Sequence, residues 1–293
     1  MRITTGQLFE SNRRNVQANF AEMAKWQAQL ASGKRMEILS DDAPQSALLL
    51  RQKGIRSAIE QYDRNLRNAT GYLGQSEVAL TEIQSIMNKG YEIAIQGATS
   101  SLDQAARLSL ADQVTQMQQR MKDLANARGN EGQYLFGGMS NTSAPYLLSG
   151  STLTYVGDTG DIRVETSPGQ TMKVNITGGE DFTNAYAALE SLKSNLIGGQ
   201  PGVISGTNVG ELQTQSARFS QLRAEVGVAM QQVTSLKSGN QRRMDELTEG
   251  ISNIEDVDVT VAVTELSRAQ TAYQAALAVS ANGFSLSLMD YLR

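Results

Sequence analysis

The chain has 293 residues, which is long enough for two or three domains with a buried core. Aromatic residues make up only 5% of it and proline occurs four times, a composition that favours long helices with narrow apolar stripes over a thick globular core. The formal net charge of −4 gives no electrostatic reason to expect binding to nucleic acid or to an anionic membrane.

Two residue types that carry much of enzyme chemistry are missing, because the sequence contains no cysteine and no histidine. Thiol nucleophiles, zinc–thiolate sites and histidine general bases are therefore excluded. No apolar run is long enough for a transmembrane helix, and the polar start MRITTGQLFESNRRNVQ is unlike a secretory signal peptide. We predict no catalytic, cofactor or metal site, and expect that any export proceeds without a cleaved signal peptide.

Apolar residues recur every seven positions from the N-terminus onward, a period that is typical of coiled-coil helices. The first row comprises Phe9, Val16, Met23 and Leu30, with Phe20 and Trp26 on the companion row. The next rows comprise Ile59, Leu66, Leu73, Leu80 and Met87, then Leu110, Met117 and Leu124. After a gap the pattern returns with Phe219, Val226 and Val233, then Leu247 and Ile254, then Leu277 and Phe284. The rows predict helical arms at both ends of the chain.

The first break in this pattern, LASGKRMEILSDDAPQS, admits three interpretations. A phosphate-binding loop would need an earlier glycine and a serine or threonine directly after its lysine, and both are absent. A metal site at the two aspartates lacks a third carboxylate at a useful spacing. We therefore interpret the stretch as a helix stop, a connector and the capped start of a second helix. The connector and cap residues are Gly33, Ser40, Asp41, Asp42 and Pro44.

Later breaks delimit a middle region of different character. Residues 97–101 end the second helix, and Asp103 is the predicted cap of the third. Residues 151–176 hold three short β-branched runs separated by the turns VGDTGD and SPGQ, which predicts one small antiparallel sheet. Residues 182–196 predict a short helix, and residues 198–210 predict a loop before helical sequence resumes.

These elements predict a mainly α protein. Its N- and C-terminal arms would form an antiparallel coiled-coil rod, with a small β-rich domain inserted between them. The predicted domains are an N-terminal assembly helix with its connector (1–43), N-terminal rod helices (44–133), the inserted β-rich domain with its short helix (134–210), a C-terminal rod helix (211–256) and a C-terminal assembly helix (257–293).

Several stretches resemble the signatures of bacterial flagellins and their relatives. LASGKR followed by SDDAP is similar to the family's N-terminal signature, and ISNIEDVDVTVAVTELSRAQTAYQAAL with the final LSLMDYLR is similar to its C-terminal signature. Within the family, GNEGQYLFGGMSNTSAPY and the opening MRITT resemble the members at the hook–filament junction more than filament subunits. The run Pro44-Gln45-Ser46-Ala47 departs from the usual flagellin pattern. The resemblance covers both arms, residues 1–130 and 211–293.

This resemblance implies a structural axial protein of the flagellum, outside the cell, in the layer that connects hook to filament. The implied partners are other copies of the chain in a ring, a hook-associated protein on the hook side, flagellin on the filament side and an export chaperone. It implies neither a nucleic-acid nor a membrane partner. It further implies terminal segments that are disordered in the monomer and fold on assembly.

The sequence supports ordering on assembly independently of the resemblance. Residues 6–31 offer too few large apolar side chains to offset the conformational entropy that one helix loses when it orders alone. We therefore expect the terminal helices to be polymerisation elements. The predicted assembly interface comprises Phe9, Val16, Phe20, Met23, Trp26, Leu30, Leu266, Tyr273, Leu277, Phe284 and Leu288.

Two other functions remain open at this point. A filament flagellin shares the terminal signatures but would polymerise into long filaments instead of stopping at one layer. A secreted coiled-coil adhesin or host-directed effector would have stable terminal helices in the monomer and a specific ligand on the β-rich domain. An enzyme is disfavoured, because the remaining polar residues are scattered over predicted solvent faces.

Overall fold

The computed structural model describes residues 5–36 and 42–291, except for the side chains of residues 5, 6, 8 and 282–291. Ser40 and Asp41, and the side chains of Phe284 and Leu288, therefore lie outside the described residues. The helices are α1 (Thr5–Ser32), α2 (Ala43–Gly97), α3 (Gln104–Ala125), α4 (Gly179–Ile197), the single turn α5 (Pro201–Val203), α6 (Val209–Glu255) and α7 (Val259–Tyr291). The strands are β1 (Tyr146–Ser149), β2 (Thr152–Tyr155), β3 (Arg163–Ser167) and β4 (Gln170–Lys173). The predicted mainly α fold with a small β region is confirmed.

The chain divides into two compact units. The terminal unit consists of Met1–Ala58 with Arg243–Arg293, and the central unit consists of Ile59–Arg242. Both α2 and α6 contribute residues to each unit. Among the described residues, no helix has the length and apolar character that a membrane crossing requires.

The central unit contains the main apolar core. The predicted row on α2 (Ile59, Leu66, Leu73, Leu80 and Met87) is buried throughout. Helix α6 runs antiparallel to α2 here, because Ser216 Oγ donates to Asn88 Oδ1 at 2.6 Å while Arg223 Nη2 lies 2.8 Å from Glu77 Oε1. Helix α3 begins as predicted, because Asp103 Oδ1 accepts a hydrogen bond at 2.7 Å from the N–H of Ala106, the third residue of the helix. The seven-residue rows thus produce a closed core in this unit.

Four aromatic side chains tie the β region to the helices of the central unit. The ring centroid of Phe182 on α4 lies 4.7 Å from that of Phe136, 5.2 Å from that of Tyr146 and 5.4 Å from that of Phe219 on α6. All four side chains are buried. Aromatic pairs at these separations add to the stabilisation that burial itself provides.

The YLFGG stretch contributes both side chains and close backbone packing to this core. Leu135 and Phe136 are buried, and Gly138 adopts φ +66°. A Cβ at Gly138 would lie 2.2 Å from the carbonyl oxygen of Asp158, so only glycine fits. The Asp158 carboxylate in turn accepts from the backbone N–H groups of Met139 at 2.7 Å and of Gly160 at 2.8 Å. These backbone hydrogen bonds lower the pKa of Asp158.

The β region forms two separate hairpins, and the prediction of one sheet is wrong. β1 pairs antiparallel with β2, and β3 pairs antiparallel with β4. The pattern does not reveal β1, because the run YLLS lacks alternation and directly follows Pro145. VGDTGD therefore connects two hairpins instead of two strands of one sheet, whereas the SPGQ turn joins β3 to β4 with Gly169 at φ +71°.

The prediction of a loop across residues 198–210 is also wrong, since the chain is helical from Pro201 onward. α5 passes into a π-helical turn (Ile204–Asn208) that leads into α6. Asn208 is buried there, and its Nδ2 donates to Ser191 Oγ at 2.8 Å while its Oδ1 accepts from Asn195 Nδ2 at 2.8 Å. The wider π turn brings this side chain to α4, and the glycine-rich composition gives no sign of it.

Candidate assembly interface

The terminal unit is built on the antiparallel pair of α1 and α7. Near the end of α1, the N–H of Val257 donates to the carbonyl oxygen of Gly33 at 3.0 Å. Further along, Asn19 Nδ2 donates to the carbonyl oxygen of Ala272 at 3.3 Å. Because residue numbers fall along α1 while they rise along α7, the two helices are antiparallel.

The two helices meet along one row of side chains on each, spaced alternately by four and three residues. The α1 row comprises Asn12, Val16, Asn19, Met23, Trp26 and Leu30, all of which are half-buried. The α7 row comprises Ala262, Leu266, Ala269, Tyr273, Ala276 and Ser280, which are buried or half-buried. We call these two rows the seam. Large side chains on α1 meet mostly small ones on α7, which allows the helix axes to approach closely.

The seam brings together six of the predicted interface residues, namely Val16, Met23, Trp26, Leu30, Leu266 and Tyr273. Three others remain exposed: Phe9 by 47%, Phe20 by 52% and Leu277 by 43%. The Phe20 ring still lies 5.7 Å from the ring of Tyr273. Leu277 lies outside the seam, next to the half-buried Ala276. The pair therefore leaves large apolar side chains in contact with water, a feature that marks interaction surfaces.

A second surface of α7 is lined mostly by small side chains, with one arginine among them. It comprises Val263, Thr264, Ser267, Arg268, Thr271, Ala272 and Ala275. Val263 is 52% exposed, and Val279 further along the helix is 59% exposed. We call this surface the outer face of α7. Small side chains at helical spacing permit close approach of another helix.

The connector after α1 packs onto the C-terminal end of α6. Gly33 follows the last residue of α1 with φ +70°, the left-handed conformation in which many helices end. The Arg35 N–H donates to the carbonyl oxygen of Glu255 at 2.7 Å, and Arg35 Nε donates to that of Ile254 at 3.3 Å. The connector therefore satisfies carbonyl groups that would otherwise lack partners at the end of α6.

A buried carboxylate at the end of α6 also forms ion pairs with the connector and with α2. Lys34 Nζ lies 2.5 Å from Glu255 Oε1, and Lys53 Nζ lies 2.7 Å from Glu255 Oε2. We call these three residues the Glu255 clasp. Hydrogen bonds from Lys34 and then Lys53 lower the pKa of Glu255, and the Glu255 carboxylate raises the pKa of Lys34. The positive charges also complement the dipole at the C-terminal end of α6.

Helix α2 begins beside the clasp. Asp42 Oδ1 accepts from the Gln45 N–H at 3.2 Å, and Pro44 occupies the first turn. Leu49, Ile251 and Ile254 form a small buried cluster against which Met36 packs. Asp42, Pro44 and Gly33 are thus placed as a helix start and a helix stop.

Sequence reasoning missed the Glu255 clasp. The basic pair Lys34-Arg35 and the acidic pair Glu255-Asp256 were assigned to two separate family signatures, one at each end of the chain. The available signal was the opposite charge of the two pairs. No local pattern links them, since Arg35 and Ile254 are 219 positions apart in the chain.

The chain matches the bacterial flagellin N-terminal helical region over residues 3–141 and the bacterial flagellin C-terminal helical region over residues 209–292. It is 26% identical to the flagellar hook-associated protein 3 of Escherichia coli (strain K12) over 99% of both chains, and 22% identical to flagellin FlaB1 of Treponema pallidum (strain Nichols) over 93% of both. Its fold is similar to that of a flagellar hook-associated protein from Vibrio parahaemolyticus, with a TM-score of 0.69 and 21% identity over 74% of this chain and 100% of that one. The resemblance seen in the terminal motifs is confirmed, and the chain belongs to the bacterial flagellin family, whose members are structural proteins of the flagellum.

Proposed function

We propose that this chain forms the layer that joins the flagellar hook to the filament, and that its terminal helices become ordered as the layer assembles. The observation that carries the proposal is the incomplete cover of the α1–α7 pair. Its seam residues are mostly half-buried, and Phe9, Phe20 and Leu277 are more than 40% exposed. A neighbouring subunit would remove this apolar surface from water.

The chemistry of the exposed surface fits other copies of the same helix pair. The outer face of α7 presents small side chains, so that a neighbouring helix could approach closely and receive larger side chains such as Phe9 and Phe20. The charged side chains here are already paired within the chain, since Arg268 lies 2.8 Å from Glu265 on α7 and Arg13 lies 2.9 Å from Glu10 on α1. Apolar burial, and not charge pairing, is therefore the expected basis of the contact. Phe284 and Leu288 remain part of the proposed interface.

A junction role is favoured over a filament subunit by the balance of the similarities. The hook-associated protein 3 of Escherichia coli is more similar to this chain than the Treponema flagellin is, and over a larger share of both proteins. The remaining parts of the proposal follow from the resemblance. They are a ring of copies, a hook-associated protein on the hook side, flagellin on the filament side, an export chaperone, and an extracellular location reached without a cleaved signal peptide.

Deleting the gene in the source bacterium tests the junction role. We expect complete hooks that carry no filaments, with flagellin released into the medium, and restoration of filaments by the wild-type gene. Filaments of normal number on the deletion strain would overturn the proposal. Polymerisation of the purified chain into long filaments would indicate a filament flagellin instead.

Amide hydrogen exchange on the dilute monomer tests the ordering of the termini. We expect residues 6–31 to exchange rapidly in the monomer and slowly in the assembled layer, because only neighbours complete their burial. Trp26 is the single tryptophan of the chain, so its fluorescence reports on the same helix. Slow exchange across residues 6–31 in the monomer would contradict the proposal and favour a stable coiled-coil adhesin.

A further inference from the structure

The Glu255 clasp lies where three segments of the chain meet: the connector after α1, the first part of α2, and the turn between α6 and α7. We propose that the clasp is the point from which the terminal helices become ordered, and that it sets the register of α1 against α7. The inference rests on the proposed function in one respect, namely that α1 and α7 become ordered during assembly.

The clasp differs from other ion pairs of the terminal unit in its burial. The Glu255 side chain is only 11% exposed, whereas the side chains of Arg13 and Glu10 on α1 are 54% and 53% exposed. Both carboxylate oxygens of Glu255 are occupied, each by a different lysine. The Lys34 and Lys53 side chains are 53% and 36% exposed, so removal of the negative charge would leave two partly hydrated ammonium groups close together without their shared partner. We expect this to cost more than loss of an exposed pair.

Backbone hydrogen bonds beside the clasp fix the alignment of the connector after α1 with the turn between α6 and α7. Lys34 and Asp256 form an isolated antiparallel bridge, flanked by the bond from the Arg35 N–H to Glu255 and the bond from the Val257 N–H to Gly33. The Asn19–Ala272 contact lies nearly the same number of residues from this bridge along each helix. The bridge and the seam therefore share one alignment of α1 against α7.

A buried apolar cluster on α2 and α6 supports the clasp end of this helix pair. Leu49, Ile251 and Ile254 are buried beside it, and Met36 packs against them. Further along the seam, Val16 and Tyr273 are only half-buried. Helix formation requires a nucleus whose first turn is costly to fix, and an end that is already held removes part of that cost. Order would thus spread from the clasp toward the two chain ends.

Amide hydrogen exchange on the full-length monomer tests this inference at two reporters, the N–H groups of Arg35 and Val257. In the wild type we expect both to exchange at least about tenfold more slowly than amides in residues 6–25. Glu255→Gln keeps the side-chain shape and removes the charge, and we expect it to abolish most of that difference. Glu249→Gln is the matched control, because Glu249 is an exposed carboxylate on the same helix with no ion pair among the described residues.

Equal protection of the two reporters in Glu255→Gln and Glu249→Gln would overturn the inference. The amide of Leu189, in the core of the central unit, shows whether each variant is folded. Lys34→Gln is a second variant at a position outside any helix, and unchanged protection in that variant would also count against the clasp. Slow exchange of residues 6–25 in every variant would instead contradict the proposed function. The protection of Arg35 and Val257 would still be compared between Glu255→Gln and Glu249→Gln, so failure of the inference and failure of the proposed function remain distinguishable.

Discussion

The central and terminal units use the same seven-residue apolar pattern with different results. In the central unit, rows on α2, α3, α4 and α6 share one core, and side chains such as Leu66, Leu80 and Phe219 are fully buried. In the part of the terminal unit that the structure describes, α1 and α7 pack mainly against each other along the seam, and most seam side chains stay half-buried. A heptad row therefore predicts that a partner exists, but it does not reveal whether the same chain or a neighbouring subunit supplies that partner.

Under the proposed function, this difference assigns stability and assembly to separate parts of the molecule. A substitution in the central core should change the free energy of unfolding of the monomer. A substitution on the exposed apolar surface of the terminal unit should change incorporation into the flagellum and leave the monomer folded. The predictions below test that separation, beginning with the largest expected effect.

Leu277→Asp should block incorporation of the subunit, because a charge on an apolar surface that becomes buried would have no compensating partner. Circular dichroism of the monomer should remain unchanged, since Leu277 is 43% exposed there. Counting filaments in a deletion strain that carries the variant measures the effect. Leu277→Met, which keeps an apolar side chain of similar volume, is the control and should support normal filaments. Normal filaments with Leu277→Asp would show that this face is not an interface.

Phe182→Ala should lower the free energy of unfolding of the monomer by about 4 kcal/mol, because it opens a cavity among Phe136, Tyr146 and Phe219. Urea titration followed by circular dichroism measures the loss. Phe20→Ala is the matched control in the terminal unit, and since Phe20 is 52% exposed, we expect less than about 1 kcal/mol. Equal effects of the two substitutions would remove the distinction between the units.

Gly138→Ala should destabilise the central unit by about 3 kcal/mol, because alanine combines an unfavourable positive φ with a collision against the Asp158 carbonyl. Gly150→Ala is the control: Gly150 has φ +60°, but nothing lies within 4 Å of a Cβ placed there. We expect about 1 kcal/mol for that variant, from the backbone conformation alone. Thermal unfolding of both variants separates the two contributions, and equal losses would argue against the close approach at Asp158.

Alkaline pH should destabilise the central unit. Burial raises the pKa of Tyr72 from 10.0 to about 12, and it also raises the pKa of Tyr146. Because the folded state favours the neutral Tyr72 phenol, its stabilising contribution is complete below pH 10 and is lost as the pH rises through about 12. The contribution of Tyr146 falls over the same range and continues to fall above it. The urea midpoint measured between pH 9 and pH 12 should fall, and Tyr72→Phe should reduce that fall. An identical pH profile for Tyr72→Phe would contradict the assignment.

Much of the fold follows from the sequence, because helical period and capping are local properties. The row from Ile59 to Met87, the Asp103 cap and the start of α2 near Pro44 needed only neighbouring residues for their prediction. Strand β1 and the π-helical turn at Asn208 could not be predicted, since contacts with residues 13 to 20 positions away, at the end of α3 and on α4, stabilise them. Asn126, for example, both donates to and accepts from the backbone of Tyr146, at 3.0 Å each.

The candidate interface shows the same limit. The spacing of Val16, Met23, Trp26 and Leu30 predicts one face of α1 correctly as a row. It does not predict that Leu277 lies off the seam, because the C-terminal sequence has apolar residues on more than one face of α7. The Glu255 clasp lay beyond any local pattern, as its three residues come from three separate segments.

The outer face of α7 has a consequence for the kinds of sequence change that each part of the protein would tolerate. In the central core, shortening a side chain is the harmful direction, because it leaves a void. On a helix face composed mostly of alanine, serine and threonine, most side chains have little left to remove, and added bulk becomes the harmful direction under the proposed assembly. An enlargement such as Ala275→Leu would leave the isolated monomer folded but would hold adjacent subunits apart. Such a substitution would abolish motility without changing the free energy of unfolding of the monomer.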